Sequence, residues 1–290
     1  MSILNKKILI IGSTGLIGTH LSKKLLSKGA NVTGISRSGR KPISKLSFIE
    51  GDILNSEFLE EIIKKKFDII FNCAGLSGEI NCHENSRLSY QTNFLAVKKI
   101  VDLIIEYSPS TKFIQLGSRL EYGKSLYNPV DESHPTNPIG QYGQHKLKAT
   151  NYIIKMCQKK NLQAVVLRIS NVSGPQFDRK HKNYNIMSNF INKAKNKETL
   201  TIFGDGKQLR DYININKLVD VIIPLSLSHK SNGEIYNVGS GKGISFENMT
   251  KKIANKYDVK IEYIKWPMLH KKFETGDFVA DISKLEKFLK

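Results

Sequence analysis

The chain has 290 residues, of which 40% are hydrophobic and 24% are charged, proportions typical of a globular protein. This length permits one large α/β unit or two small domains, and it excludes collagen, coiled-coil and disulfide-knot folds. The formal net charge is +19, but only seven of the 45 basic residues are arginine. Because nucleic-acid sites rely on the guanidinium fork of arginine, the charge indicates a lysine-rich solvated surface and no nucleic-acid partner.

The cysteines and the apolar segments bear on the cellular compartment of the protein and on membrane insertion. Cys73, Cys82 and Cys157 form no Cys-x-x-Cys pair, so neither a disulfide framework nor a metal site is expected. The apolar run at residues 8–11 is too short for the core of a signal peptide, and no later run approaches the roughly 18 residues of a membrane span. We therefore expect a cytoplasmic protein that does not insert into membranes.

Over the first 170 residues, short β-branched runs alternate with longer stretches of helical periodicity. Strands are predicted at residues 7–11, 31–35, 47–50, 68–72, 112–116 and 164–169. Helices are predicted between them, at residues 16–27, 57–65, 87–107 and 142–159. This order predicts an α/β fold with a doubly wound parallel sheet of the Rossmann type, covered by helices on both faces.

After about residue 171 the pattern changes to segments rich in Gly, Pro, Asn and Lys. A helix is predicted at residues 185–197, and strands are predicted at residues 200–203 and 234–238. We therefore divide the chain into a first domain, residues 1–170, and a smaller C-terminal α/β region, residues 171–290. The strand at 234–238 is expected to return to the sheet of the first domain.

Three glycines follow the first predicted strand with the spacing of a turn that binds a pyrophosphate. Gly12 permits the tight turn, Gly15 allows the backbone to approach the phosphates, and Gly18 allows the next helix to pack against the strand. The N-terminus of that helix faces the anion. Asp52, after the third strand, is expected near the amino group of an adenine. The first domain is therefore predicted to bind a nicotinamide dinucleotide.

The end of the second strand bears on the choice of cofactor. An NAD site has an acidic residue there, but this sequence has Ser36 and then Arg37, with Arg40 and Lys41 close behind. A carboxylate would repel a 2′-phosphate, whereas a guanidinium pairs with it. This favours NADP(H), with NAD as the alternative. The other interpretation of these residues is a basic surface loop with no role in cofactor binding.

Tyr142 and Lys146 lie one turn apart at the start of a predicted helix. A free tyrosine has a pKa of about 10, so lowering that pKa by about three units takes about 4 kcal/mol. A cation at about 4 Å supplies about that energy at an effective dielectric constant of about 20. Lys146 is therefore expected to lower the pKa of Tyr142 and to let it act as an acid or base. The alternative is a solvated tyrosine on a helix surface.

Six blocks of sequence occur in an order that is typical of one enzyme family. They are residues 12–18, 113–123, 142–146, 167–175, 204–213 and 236–241. Together they resemble the nucleotide-sugar epimerase/dehydratase group of the extended short-chain dehydrogenases/reductases, over nearly the whole chain. The resemblance implies an NAD(P)-dependent enzyme of cell-surface polysaccharide synthesis that binds a nucleotide-diphosphate sugar in its C-terminal region. It also implies a homodimer formed by the helices at 85–107 and 142–159.

The resemblance also implies roles for individual residues. Ser118 would hydrogen-bond the reacting sugar oxygen, Tyr142 would be the catalytic acid or base, and Lys146 would lower its pKa and hold the nicotinamide ribose. The implied cofactor contacts are Gly12, Thr14, Gly15, Leu16, Ile17, Gly18, Ser36, Arg37, Asp52, Ile53, Ala74, Asn93 and Lys146. The implied substrate contacts are Ser118, Glu121, Tyr142, Asn171 and Arg210. Within that set, Asn171 and Arg210 would hold the diphosphate.

The two residues after Ser118 depart from the pattern of the family's dehydratases. Those enzymes carry Asp-Glu there, to remove water across C5 and C6 of the sugar, whereas this chain has Arg119 and Leu120. Leucine cannot carry out acid–base chemistry, so a 4,6-dehydratase is disfavoured. Glu121 follows one residue later and is the next candidate for an acid or base after Tyr142.

Residues 117–123 are similar to the corresponding block of sugar-nucleotide 4-ketoreductases such as GDP-4-keto-6-deoxymannose reductase. We therefore favour an NADPH-dependent reductase of a nucleotide-linked 4-keto-6-deoxyhexose. The alternative is a 4-epimerase, which oxidises and re-reduces the same sugar with a retained cofactor. A third interpretation, from another class, is a non-catalytic NADP- or RNA-binding protein, prompted by the net charge of +19.

Overall fold

The computed structural model describes residues 2–37, 43–175 and 186–290. Arg40, Lys41 and the first residue of the helix predicted at 185–197 lie outside the described residues. Within the described ranges the strands are β1 (Lys7–Ile11), β2 (Asn31–Ser36), β3 (Ser47–Glu50), β4 (Ile69–Asn72), β5 (Lys112–Ser118), β6 (Ala164–Ile169), β7 (Asn171–Ser173), β8 (Leu200–Phe203), β9 (Leu209–Asn214), β10 (Glu234–Val238), β11 (Gly243–Ser245) and β12 (Ile261–Ile264).

The helices of the described ranges are α1 (Leu16–Ser27), α2 (Ser56–Lys64), α3 (Glu79–Glu84), α4 (Ser86–Tyr90), α5 (Ala96–Tyr107), α6 (Gln141–Lys160), α7 (Ile186–Lys195), α8 (Ile215–Leu227), α9 (Phe246–Tyr257), α10 (Met268–Lys272) and α11 (Ser283–Leu289). Gln91–Leu95 forms a π-helical turn between α4 and α5, so the single helix predicted at 87–107 contains a wider turn that apolar periodicity does not reveal. Short 3₁₀ turns lie at Arg119–Glu121 and His229–Ser231. None of these helices combines the length and the hydropathy that crossing a membrane requires.

The main sheet confirms the predicted doubly wound fold. Among the described residues it has seven strands, all parallel, in the order β10-β6-β5-β4-β1-β2-β3. The chain moves outward from β1 through β2 to β3 and then crosses to β4 on the other side of β1. The carboxyl ends of β1 and β4 therefore border a crevice at this reversal, which is where open α/β sheets bind their ligands.

Alternating side chains of β1 enter two hydrophobic cores, one on each face of the main sheet. Ile8 and Ile10 pack in a core with residues of α1 and α8. Leu9 and Ile11 pack in the other core, with residues of α2, α5 and α6. Burial on both faces explains why the strand reads as a continuous apolar run and not as an alternating one.

The C-terminal region contains two small sheets in the described ranges. In one of them, β9 pairs in parallel with β7 and antiparallel with β11. In the other, β8 pairs in parallel with β12. Residues of α7 and α9 form a separate core over β8 that includes Phe190 and Phe246. The sequence pattern does not predict β7, β9, β11 or β12: β7 and β11 have three residues each, and charged residues interrupt the apolar runs of β9 and β12.

Candidate active site

A cavity of about 760 Å³ lies at the carboxyl ends of the strands, on both sides of the reversal beside β1. Its wall includes most of the residues that the sequence predicts for the site, namely Gly12, Thr14, Gly15, Leu16, Ile17, Ser36, Arg37, Asp52, Ile53, Ala74, Ser118, Tyr142, Lys146 and Asn171. Four other predicted residues are absent from the wall: Gly18, Asn93, Glu121 and Arg210. The volume lies in the range of protein sites for small molecules and cofactors.

The glycine turn forms one end of the cavity. Gly12 has a φ of +81°, and a Cβ atom there would lie 2.7 Å from the backbone nitrogen of Ala74. A Cβ atom at Gly18 would lie 2.3 Å from the carbonyl oxygen of Gly12, so α1 packs this closely on the turn only with glycine at that position. Helix α1 begins directly after Gly15 without a side-chain cap, and its first turn lines the cavity. Its unpaired N–H groups and dipole suit a pyrophosphate.

The end of β2 forms the wall where the adenosine ribose of a dinucleotide is expected. The hydroxyl oxygen of Ser36 lies 2.8 Å from that of Thr14, and Arg37 follows in the cavity wall. Asp52 lies after β3, where its Oδ1 accepts a hydrogen bond of 3.0 Å from the backbone of Leu54. Ser36 and Arg37 thus present a hydroxyl and a cation at this position.

Asn93 supports the cavity wall without being part of it. Its side chain is 1% exposed, donates to the carbonyl oxygen of Leu76 at 2.9 Å and accepts from the N–H of Leu76 at 3.1 Å. A Cβ atom at Gly75 would lie 2.8 Å from its Oδ1. The direct cofactor contact expected of Asn93 stays a prediction; in this structure Asn93, on the π-helical turn, holds the backbone of Leu76 in the segment after β4.

Ser118, Tyr142 and Lys146 come together in the cavity wall. Ser118 ends β5, and the other two residues lie in the first turns of α6. The hydroxyl of Ser118 lies near enough to that of Tyr142 to lower its pKa. Lys146 is 5% exposed, its Nζ donates to the carbonyl oxygen of Leu116 at 2.8 Å, and it lies 5.9 Å from the centre of the Tyr142 ring. The structure thus assembles the three side chains of the predicted catalytic group.

Burial raises the pKa of Tyr142, and the nearby Cys82, Glu121 and Glu79 act in the same direction. The nearby hydroxyl of Ser118 opposes this rise in the pKa. The expectation that Lys146 lowers the pKa of Tyr142 stays a prediction: burial is the largest influence on that pKa, and the lysine amine donates to a backbone carbonyl. Tyr142 consequently holds its proton at neutral pH, and burial lowers the pKa of Lys146.

Glu79 is a residue of this site that sequence reasoning missed. Its Oε2 accepts from the N–H of Tyr142 and its Oε1 from the N–H of Gly143, both at 3.0 Å, so it caps the N-terminus of α6. Burial raises the pKa of this carboxyl group. A Cβ atom at Gly140 would lie 2.0 Å from the carboxylate. The only signal in the sequence is that the residue before α6 is a glycine, which offers no capping side chain.

Glu121 is fully enclosed by protein, which corrects its expected contact with substrate. The side chain is 0% exposed. Its carboxylate accepts from the N–H of Ser118 at 2.9 Å, from the hydroxyl of Thr150 at 2.9 Å and from Nε of Arg168 at 3.0 Å. With these three partners Glu121 fixes the backbone of Ser118, and its position does not suit the role of an acid or base.

The two residues expected to hold the diphosphate are placed differently. Asn171 lines the cavity and donates to the carbonyl oxygen of Asp211 at 3.2 Å. Arg210 is 8% exposed and forms an ion pair with Glu274, while its Nη1 donates to the carbonyl oxygen of Gly276 at 2.6 Å. The expected contact of Arg210 with substrate therefore stays a prediction, and in this structure its guanidinium is paired with Glu274.

Arg119 and Leu120, which replace the acid pair of the dehydratases, both line the cavity. The Nη1 of Arg119 donates to the hydroxyl of Thr275 at 3.1 Å. Burial, together with the like charge of Arg210, lowers the pKa of Arg119 to about 9. A cation and an apolar side chain therefore adjoin Ser118 where the dehydratases have two carboxyl groups.

Known proteins share this fold and resemble this sequence over most of its length. Residues 8–239 match the NAD dependent epimerase/dehydratase family. The chain is 29% identical to the "Putative UDP-glucose 4-epimerase" of Methanocaldococcus jannaschii, over 83% of this chain and 79% of that protein. It is 24% identical to the dTDP-6-deoxy-L-talose 4-dehydrogenase (NAD(P)(+)) of Kitasatospora kifunensis, over 90% of this chain and 82% of that protein. A solved structure, UDP-N-acetylglucosamine 4-epimerase from Methanobrevibacter ruminantium M1, superposes with a TM-score of 0.88 at 25% identity, over 98% of this chain and 92% of that one.

Proposed function

Because the chain belongs to the NAD-dependent epimerase/dehydratase family and is an enzyme of the extended short-chain dehydrogenase/reductase type, we propose that it transfers a hydride at C4 of a nucleotide-diphosphate sugar. The observation that carries the proposal is that Ser118, Tyr142 and Lys146 share one cavity with the glycine turn. One cavity then holds a dinucleotide at the turn and a sugar at the hydroxyl groups. The direction that we propose is the reduction of a 4-keto hexose, such as a 4-keto-6-deoxyhexose, by NADPH.

A bound nicotinamide cofactor supplies the hydride, and the side chains of this protein handle the proton. Because burial raises the pKa of Tyr142, its hydroxyl is protonated and donates that proton to the oxygen on C4 as the carbon is reduced. The hydroxyl of Ser118, which lines the same cavity as Tyr142, binds the same oxygen. Lys146, 5.9 Å from the tyrosine ring, stabilises the phenolate that remains until a proton from solvent replaces the one transferred.

NADP(H) is the proposed cofactor, with NAD as the alternative. Support comes from Arg37, which stands in the cavity wall directly after Ser36 at the end of β2. A guanidinium there pairs with a 2′-phosphate, whereas the acidic residue of an NAD site would repel it. NADPH is the reductant of biosynthesis, so this preference agrees with the proposed direction.

A 4-epimerase is the second candidate, and the similarity to the protein of M. jannaschii favours it. Epimerisation uses the same Ser118, Tyr142 and Lys146, because it also moves a hydride at C4 and a proton on its oxygen. It differs in that the cofactor is re-reduced or re-oxidised within each turnover and is not consumed. A 4,6-dehydratase remains disfavoured, since Arg119 and Leu120 supply no acid–base pair next to Ser118.

The two candidates differ in what happens to NADPH. Purified enzyme is incubated with NADPH and a nucleotide-linked 4-keto-6-deoxyhexose, absorbance at 340 nm is followed, and the sugar product is identified by NMR. A reductase consumes one NADPH for each sugar reduced, and Tyr142→Phe abolishes the signal. If two C4-epimeric nucleotide sugars interconvert while NADPH is unchanged, the epimerase is correct and the reductase is wrong. Absence of both activities with every nucleotide sugar tested would overturn the proposal.

A further inference from the structure

Helix α6, which carries Tyr142 and Lys146, begins without a capping side chain from its own segment. The first hydrogen bond along the helix runs from the N–H of Gln144 to the carbonyl oxygen of Gly140, at 3.0 Å. The N–H groups before Gln144 therefore have no carbonyl of the helix to bind. The residue that precedes a helix often accepts from one of these groups, but here that residue is Gly140. The start of α6 consequently depends on an acceptor from elsewhere in the chain.

Glu79, the first residue of α3, supplies this acceptor. Its Oε2 accepts from the N–H of Tyr142 and its Oε1 from the N–H of Gly143, both at 3.0 Å. Each oxygen of the carboxylate has its own donor, which suits the ionised form, because protonation would turn one of the two oxygens into a donor. One of the two N–H groups belongs to Tyr142 itself. Glu79 therefore holds the backbone of the proposed proton donor directly.

The carboxylate of Glu79 occupies the space that a side chain at position 140 would fill. The three atoms nearest to a Cβ atom on Gly140 would be the Oε2, Cδ and Oε1 of Glu79, at 2.0, 2.4 and 3.0 Å. The backbone of Gly140 has a φ of −111° and a ψ of 170°, an extended conformation that other residues adopt. Glycine is thus required at position 140 by the carboxylate and not by the backbone conformation.

Glu79 connects the start of α6 to two other parts of the site. The segment directly before it, residues 74–78, lines the cavity on the side of β4. On another side of the first turn of α6, a Cβ atom at Gly143 would lie 2.4 Å from the carbonyl oxygen of Leu120, in the 3₁₀ turn after Ser118. The first turn of α6 is therefore held between Glu79 and the backbone that follows Ser118.

The charges around Glu79 favour the same arrangement. Burial raises the pKa of Glu79, whereas its two backbone N–H donors and the charges of Arg119 and His83 oppose this rise. The charge of Glu79 in turn raises the pKa of Tyr142. An ionised Glu79 therefore stabilises the protonated phenol, which is the form that donates a proton in the proposed reduction.

We propose that Glu79 is a positioning residue of the reaction: its carboxylate fixes the first turn of α6 and thereby keeps the hydroxyl of Tyr142 within reach of the oxygen on C4. The inference rests on the proposed hydride transfer at C4 and applies equally to reduction and to epimerisation. Position matters in such a step, because a misplacement of about 1 Å can slow a reaction about a hundredfold. Glu79 is absent from the described wall of the cavity, so its loss is expected to affect turnover and not substrate binding.

The first experiment compares kcat and KM of the wild type and Glu79→Ala, with NADPH and a nucleotide-linked 4-keto-6-deoxyhexose. We expect kcat to fall at least about tenfold, which corresponds to about 1.4 kcal/mol in the barrier. The KM for the sugar is expected to stay within about threefold, since no contact with substrate is lost. Glu84→Ala is the matched control, because it removes an exposed carboxylate from the other end of α3 and is expected to change neither constant.

The second experiment restores the cap from a different residue. In Glu79→Ala the space beside Gly140 is free, and Gly140→Asn then places an amide oxygen where it accepts from the first N–H groups of α6. The double variant is expected to recover most of the lost kcat. Gly140→Asn alone is expected to lower kcat, because the new side chain and the carboxylate compete for one space. Two changes that are each harmful should therefore compensate each other.

Deuterium exchange of the peptide at residues 138–146, followed by mass spectrometry, reports on the hydrogen bonds themselves. Exchange is expected to be faster in Glu79→Ala than in the wild type and to slow again in the double variant. Circular dichroism and the unfolding midpoint show whether each variant is folded, and all rates are measured well below every midpoint. Gly140→Ser in Glu79→Ala serves as a second capping variant.

The proposal is overturned if Glu79→Ala keeps the kcat of the wild type or raises KM as strongly as it lowers kcat. It is also wrong if exchange slows again in a capped double variant while kcat stays low, because the helix start would then have no influence on the reaction. Failure of both Asn and Ser at position 140 to restore slow exchange and kcat would equally count against it. A wild type that turns over no nucleotide sugar would instead refute the proposed function, whereas an active wild type is the condition under which Glu79 alone is judged.

Discussion

The ion pair between Glu121 and Arg168 provides a quantitative test of how the catalytic wall is held. The side chains are 0% and 4% exposed, and the same carboxylate accepts from the N–H of Ser118 at 2.9 Å. The guanidinium carbon of Arg168 also lies 4.5 Å from the centre of the Tyr122 ring. Replacing Glu121 by Gln keeps the size of the side chain and removes its charge.

The variant Glu121→Gln leaves the cation of Arg168 buried without a counter-charge. Breaking a buried pair in this way costs about 3–5 kcal/mol, and we expect the free energy of unfolding to fall by about 3 kcal/mol. Arg168→Met is expected to cost a similar amount. The double variant removes both charges, so its cost should be smaller than the sum of the two by at least about 1.5 kcal/mol.

Urea unfolding, followed by circular dichroism and by the fluorescence of Trp266, measures these differences. Lys64→Gln is the matched control, because it breaks the exposed Lys64–Glu60 pair and is expected to cost less than about 1 kcal/mol. A cost for Glu121→Gln as small as that of the control, or costs that simply add in the double variant, would refute the reasoning.

Three other outcomes are expected. Tyr142→Phe should lower kcat by at least about a hundredfold while cofactor affinity and the unfolding midpoint stay nearly unchanged, and an active variant would reassign the acid. Arg37→Ala should weaken NADP(H) by about 1.5–3 kcal/mol and NAD(H) much less, whereas equal losses would contradict the cofactor proposal. Burial lowers the pKa of His145 in the folded protein. Below about pH 6.5 the unfolded chain therefore binds more protons at this residue than the folded chain does. The free energy of unfolding should fall as the pH decreases from about 6.5 towards the pKa of the folded state. His145→Gln should show a smaller fall in Tm between about pH 7.5 and pH 5.5, and an unchanged fall would be evidence against this origin.

The order of the elements and the dinucleotide turn could be predicted from the sequence because both depend on short stretches of chain. The apolar run at β1 and the periodicity of α1 are local patterns, and they predicted the doubly wound sheet that the structure confirms. The glycine motif is equally local, because Gly12 and Gly18 are only six residues apart. The backbone of Gly18 packs against the carbonyl oxygen of Gly12, and this close approach requires glycine at position 18.

The partners of the polar side chains were decided only by the tertiary structure. Glu79 caps the helix of Tyr142 from 63 residues away, and Glu121 turns inward to Arg168, 47 residues away. Neither separation leaves a pattern in the sequence. The pKa of Tyr142 also depends on the tertiary structure. The spacing of four residues suggested that Lys146 lowers this pKa, but burial of the tyrosine, which raises it, depends on the residues packed around the ring. Burial is a property of the assembled fold, and for this reason the roles of charged residues could not be derived from the sequence alone.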